Sequence, residues 1–121
     1  IGGGLFMSDG SGLSRSNAVS AKFLTDLLAY MHKSSNGEEF KASLAVAGKS
    51  GTMYSIGKGT TAAGIVYGKS GTMNRIKSYA GYVDSKSGKK LAYAMIINNH
   101  SCSSSQIKKY FETLMIKMAN Y

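Results

Sequence analysis

Ile65-Val66-Tyr67-Gly68-Lys69-Ser70-Gly71-Thr72-Met73 is the stretch on which the fold turns. Just after it, Ile76 to Val83 is rich in aromatic and branched residues and predicts a strand. Asp84-Ser85-Lys86-Ser87-Gly88-Lys89 is a polar turn, and Leu91 to Asn98 predicts a second strand. Two strands joined by a short polar loop make an antiparallel hairpin. Lys69-Ser70-Gly71-Thr72 is expected just ahead of its first strand. Beyond the hairpin, Ile107, Tyr110, Phe111, Leu114, Met115 and Met118 recur at helical spacing behind Ser103 or Ser104 as a cap. That stripe predicts a C-terminal helix packed on a core. The membrane-surface alternative has only Lys108, Lys109 and Lys117 for a polar face.

Toward the N-terminus the pattern loosens. Leu44 to Gly68 mixes Gly, Thr and Ala with little periodicity, and one short helix is expected around Gly59 to Ala63. Glu38 to Ser43 predicts another short helix. Val19, Phe23, Leu24, Leu27, Leu28 and Met31 predict an amphipathic helix over Ala18 to His32, capped by Ser16 or Asn17. Lys33 and Gly37 suit its end, the first by charge and the second by backbone freedom. Ile1 to Ser16 is Gly- and Ser-rich and predicts a loop. Ala47-Gly-Lys-Ser-Gly-Thr-Met53 nearly repeats Tyr67-Gly-Lys-Ser-Gly-Thr-Met73, but two copies with different flanks do not make a repeat protein.

Composition narrows the function classes. The 121 residues suit one domain or a piece of one, and 43% are hydrophobic, enough for a modest core. The net charge of +9 attracts anions, yet the lysines are scattered and no aromatic-and-basic repeat suggests nucleic-acid binding. A lone cysteine, Cys102, forms no internal disulfide and no metal cluster, and His100 two residues away does not by sequence alone make a catalytic pair. No apolar stretch is long enough to span a bilayer. No signal peptide is visible, and a chain opening on Ile1 reads as a processed product or a piece of something longer.

Two motif readings fail on their requirements. A phosphate-binding loop needs a Gly five residues before its second Gly; Ala63 stands there ahead of Gly68, and Ser43 ahead of Gly48. Asp9-Gly10-Ser11-Gly12 offers one carboxylate and no further acids at calcium-ligand spacing.

A third reading joins Asp9-Gly10-Ser11-Gly12-Leu13-Ser14-Arg15-Ser16-Asn17, just before a helix, to Lys69-Ser70-Gly71-Thr72 at a strand. This order resembles the class C low-molecular-mass penicillin-binding proteins, serine D-Ala-D-Ala carboxypeptidase/endopeptidases. Their motif set is Ser-x-x-Lys, a Ser-x-Asn type triplet and Lys-Thr-Gly. The resemblance runs from about Leu5 to Met118. It implies an α/β fold of the α+β type, with no metal and no organic cofactor. Residues 1–121 would form the C-terminal portion of a penicillin-binding, transpeptidase-like domain, an antiparallel hairpin packed with N-terminal and C-terminal helices.

The resemblance also implies roles. Lys69 would face the substrate's terminal carboxylate and assist proton movement, and Ser70 would hydrogen-bond that carboxylate. Gly71 would keep the strand edge free, and the Thr72 N–H would serve the oxyanion hole. Ser14 would relay a proton to the leaving amine. Asn17 would hold the substrate amide, or Ser16 would, since a strict Ser-x-Asn triplet from Ser14 ends at position 16. The resemblance implies a nucleophile in a Ser-x-x-Lys motif upstream, outside this chain; of the strings present, Ser87 sits in a hairpin turn, Ser105 starts a helix but the C-terminal one, and neither these nor Ser55 is assigned. The implied partners are peptidoglycan stem peptides ending in D-Ala-D-Ala and β-lactams, in a periplasmic or otherwise extracytoplasmic place. The piece alone is expected to be inactive and to self-associate through an open sheet edge. The competing reading is a non-catalytic module that binds peptidoglycan or another anionic polymer.

Overall fold

The computed structural model describes residues 3–121. Its centre is an antiparallel sheet of β3 (Ala45–Val46), β4 (Val66–Met73), β5 (Ile76–Asp84) and β6 (Lys90–Ile97), in that spatial order. β1 (Leu5–Phe6) and β2 (Ala18–Val19) make a separate two-stranded pair. The helices are α1 (Ala21–Lys33), α2 (Gly37–Ser43) and α3 (Ser104–Ala119), with a 3₁₀ turn at Gly51–Met53.

Strand alternation sorts the sheet residues onto two faces. Val66, Tyr79, Val83 and Tyr93 share one face and are buried there with Ile107, Phe111, Met115 and Ala119 of α3. Those four helical residues are four apart, one stripe of a 3.6-residue helix. Tyr79 and Phe111 meet edge to face, with ring centroids 5.5 Å apart. Each large buried side chain contributes about 1.5–3 kcal/mol. Tyr110 and Leu114, expected in this stripe, are exposed on its flank. The other face carries Tyr82 and Asp84 and is covered by α1, with Phe40 and Lys41 of α2 reaching Tyr82 and Asp84. The Tyr82 hydroxyl donates to the Leu28 carbonyl at 2.7 Å, and His32 and Phe40 flank its ring.

The helix ends follow from local chemistry. Ser20, not Ser16 or Asn17, caps α1 by accepting the Phe23 N–H. Ala18 and Val19 ahead of it are drawn into the β1–β2 pair instead of extending the helix. Gly37 is required where α1 turns into α2, because a Cβ would come within 2.8 Å of the Met31 and His32 carbonyl oxygens. Ser103 caps α3 in a reciprocal capping box with Gln106.

The segment between α2 and β4 is irregular, as expected, but its short helix lies at Gly51–Met53 and not around Gly59 to Ala63, which forms turns. Ala47, Met53, Ile56 and Ala62 are fully buried beneath it, so packing rather than periodicity holds it. The Lys69–Thr72 motif also lies within a strand and not ahead of one.

Candidate active site

The motif strand has one occupied edge and one open edge. Along an antiparallel strand, each residue's N–H and C=O point to one side, and the side alternates. The Ile65 carbonyl accepts from Asp84 N–H at the β5 side, and the Val66 carbonyl accepts from Ala47 N–H at the β3 side. The backbone groups of Gly68, Ser70 and Thr72 therefore point away from β5. β3 pairs with β4 only as far as Gly68. Beyond that point, Ser70 and Thr72 offer their N–H and C=O to an edge that no strand among the described residues occupies.

Lys69 is exposed, and its ammonium turns back to donate to the Ser70 carbonyl at 3.0 Å, one of these open-edge acceptors. Ser70 and Thr72 share the sheet face of Tyr79, while Lys69 and Gly71 project from the opposite face. Gly71 has a local reason to be glycine: a Cβ would lie 2.5 Å from the Ser78 hydroxyl across the pair. That hydroxyl rotates, so the restriction comes from β5 and is mild. Sequence reasoning missed two neighbours. Lys77, paired with Thr72, donates to its hydroxyl at 2.5 Å. Arg75, in the β4–β5 turn with φ of 59°, ties that turn to the Asn99 and His100 carbonyls. Strand alternation placing Lys77 beside Tyr79 was the signal available for the first.

The nine-residue segment closes on itself. The Asp9 carboxylate accepts from the N–H groups of Gly12 and Ser14, the Ser11 hydroxyl and the Asn17 amide. Hydrogen bonds from Asn17, then Ser11, hold the Asp9 carboxyl below its ordinary range. Asn17 in turn accepts the N–H groups of Ser8 and Asp9. Its Oδ1 thus accepts twice within the loop, and its Nδ2 donates once to Asp9 and keeps its second N–H. Ser14 Oγ accepts the Ser16 N–H at 3.2 Å, and Ser16 is exposed.

The structure therefore gathers Lys69, Ser70, Gly71 and Thr72 on one edge and Ser14, Ser16 and Asn17 in one loop. No hydrogen bond joins Ser14 to Lys69. The Ser-x-x-Lys strings are placed as turns and helix starts: Ser87 lies in the β5–β6 turn, Ser105 in the first turn of α3, and Ser55 accepts from Lys108, not Lys58. His100 meets the backbone carbonyl of Cys102.

Comparison with known proteins bears on the same residues. The model of the D-Ala-D-Ala carboxypeptidase 3 (S13) family matches residues 2–119. The chain belongs to this family. A D-alanyl-D-alanine carboxypeptidase from an Actinomadura species is 41% identical over 103 residues, covering 81% of this chain and 19% of that protein. The D-alanyl-D-alanine carboxypeptidase DacB of Haemophilus influenzae is 29% identical over 109 residues, covering 88% of this chain and 22% of its own length. The crystal structure of penicillin-binding protein 4 (dacB) from Haemophilus influenzae superposes with a TM-score of 0.85 at 26% identity, over 98% of this chain and 28% of that one. That protein has also been solved in complex with a β-lactam. The chain thus spans about a fifth of the length of the curated relatives it matches. The α+β architecture expected of the family is the one observed.

Proposed function

We propose that this chain supplies the substrate-binding strand of a serine-type D-alanyl-D-alanine carboxypeptidase or endopeptidase. The observation that carries the proposal is the unoccupied edge of β4, which presents the Ser70 and Thr72 backbone groups beside Lys69. Family membership supports the same reading. A peptide ending in D-Ala-D-Ala would lie along this edge as an added strand. Its terminal carboxylate would meet the Lys69 ammonium and the Ser70 hydroxyl, and the Thr72 N–H would donate to the oxyanion that develops on the scissile carbonyl.

In this reading a serine elsewhere in the whole protein attacks the peptide carbonyl, D-Ala or an amine leaves, and water hydrolyses the resulting ester. A β-lactam would occupy the same edge and trap the serine. Lys69 would first release the Ser70 carbonyl, the acceptor that an incoming strand needs. Peptidoglycan as substrate places the reaction outside the cytoplasm. Among the described residues, no helix is long and apolar enough to cross a membrane. The proton-relay role expected of Ser14 is not carried into this proposal, which rests on the strand.

The test is labelling of the full-length protein with a fluorescent penicillin. Lys69→Ala should lower the acylation rate by about a hundredfold or more, the scale of losing one preorganised electrostatic contact, with an unchanged circular dichroism spectrum. Full labelling of this variant would sink the assignment. Salt-sensitive binding of an anionic polymer without acylation would favour the binding-module reading.

A further inference from the structure

We propose that Lys77 is a positioning residue for the carboxylate end of the substrate, acting through the Thr72 hydroxyl; the proposal rests on the strand-edge reading above. Thr72 and Lys77 are cross-strand partners, so their side chains rise from the same face, two residues along from Ser70. The Lys77 ammonium donates to Thr72 Oγ1 at 2.5 Å and lies 5.5 Å from the centre of the Tyr79 ring. Tyr79 is itself buried in the core beneath α3. One end of this arrangement is therefore fixed by the hydrophobic packing of the sheet.

An ammonium group can only donate. With Lys77 as its partner, the Thr72 oxygen must accept, and its own hydrogen is left for a second group. The open edge beside Thr72 is where a peptide carboxylate would arrive. No acidic side chain forms an ion pair with Lys69 or Lys77 among the described residues. The two ammonium groups project from opposite faces of one strand pair, with Ser70, Gly71 and Thr72 between them. A ligand with a terminal carboxylate thus meets positive charge from both faces and an oriented hydroxyl at the edge. A carboxamide could still accept from the hydroxyl but would not gain the attraction of the two charges.

The experiment uses the full-length protein and two versions of one peptide ending in D-Ala-D-Ala, one with a free carboxylate and one with a carboxamide. Lys77→Met should lower kcat/KM for the acid about five- to tenfold, chiefly through KM, the scale of a partly exposed charge-assisted hydrogen bond. The carboxamide should change less than twofold. Lys77→Arg should recover most of the loss, because it keeps the charge and the donor. Thermal melts of both variants serve as the folding control.

Equal losses on both peptides, or no loss on either, would overturn the role of Lys77 while Lys69→Ala still abolished turnover. If the wild-type protein neither hydrolyses the peptide nor takes up penicillin, the functional reading itself fails, and the Lys77 proposal falls with it.

Discussion

The Tyr93 hydroxyl lies directly over Gly68, in space left by two facing glycines. Gly81 pairs with Gly68 on one side and Tyr93 on the other, and a Cβ on Gly68 would reach the Tyr93 hydroxyl oxygen at 2.4 Å. The packing that seats Tyr93 thus fixes the residue just before Lys69. The buried Tyr93 hydroxyl has no hydrogen-bond partner among the described residues. Burial, then the neighbouring Tyr79, pushes its ionisation far above the ordinary 10.0. Tyr93→Phe removes an unsatisfied polar atom and should stabilise the fold by about 1 kcal/mol, read as a higher Tm. Because the folded-state pKa is raised, the stability tied to this group is whole below pH 10.0 and is lost as pH rises above it. The variant should therefore resist alkaline unfolding better than the wild type. An unchanged alkaline limb would show that Tyr93 is not the group responsible.

Gly81→Ala is expected to be the most damaging single methyl in the sheet. The added Cβ would sit 2.0 Å from the Tyr67 carbonyl oxygen and 2.6 Å from the Gly68 Cα, both backbone atoms that no side-chain rotation can clear. A loss of about 3 kcal/mol or more is expected in urea unfolding, at the severe end for a point change. Gly71→Ala meets only the rotatable Ser78 hydroxyl and should cost well under half as much. Equal costs at the two positions would refute the distinction between backbone and side-chain obstacles.

Lys41 bridges α2 to the end of β5. Its ammonium donates to Asp84 Oδ2 at 2.6 Å and lies 4.3 Å above the Tyr67 ring, with only 11% of the side chain exposed. The second Asp84 oxygen, Oδ1, is buried without a partner among the described residues. Lys41→Met should destabilise by about 1–3 kcal/mol, because it strands a partly buried carboxylate. Pairing it with Asp84→Asn should return part of that loss. Strict additivity of the two changes in a double-mutant cycle would mean that the pair carries no coupling.

What the sequence made legible was what periodicity records. The alternating run Ile76 to Val83, the apolar run Leu91 to Asn98 and the stripe through Ile107, Phe111 and Met115 each bury one face, and each appears as an element close to its expected bounds. The Gly68-Lys69-Ser70-Gly71 portion of β4 has poor strand propensity and is held extended by four of the eight register pairs between β4 and β5, which local reading does not see. β1, β2 and β3 are two residues each and carry no period. The strand half of the site was visible as a motif. Its use of an open edge was not, because the edge is defined by where β3 stops, at Gly68. The loop half reads as chemistry through a family resemblance of its nine residues, and the hydrogen bond by which Asn17 holds Asp9 in place carries no signal in the sequence.

That loop should respond to acid. The Asp9 carboxyl is held below its ordinary 3.8 by hydrogen bonds from Asn17 and Ser11. With a depressed folded-state pKa, its contribution is present above pH 3.8 and is lost as pH falls through the lower folded value. Amide exchange at Gly12 and Ser14, whose N–H groups Asp9 accepts, should accelerate in that acid window ahead of amides in β5. Asp9→Asn should abolish the pH step. Protection that persists unchanged into strong acid would mean that the carboxylate does not organise the loop.

Ser14 provides the sharpest test of which half of the site does chemistry. Its hydroxyl accepts the Ser16 N–H and makes no hydrogen bond with Lys69. Ser14→Ala in the full-length protein should therefore keep penicillin acylation and peptide turnover within about threefold of wild type, as for an ordinary surface substitution. Lys69→Ala measured beside it should lose about a hundredfold or more. A comparable loss in both variants, with kcat falling and KM steady, would mean that Ser14 reaches Lys69 during turnover. The proton relay implied by the sequence resemblance would then be restored, and the loop would have to move toward β4 once substrate is bound.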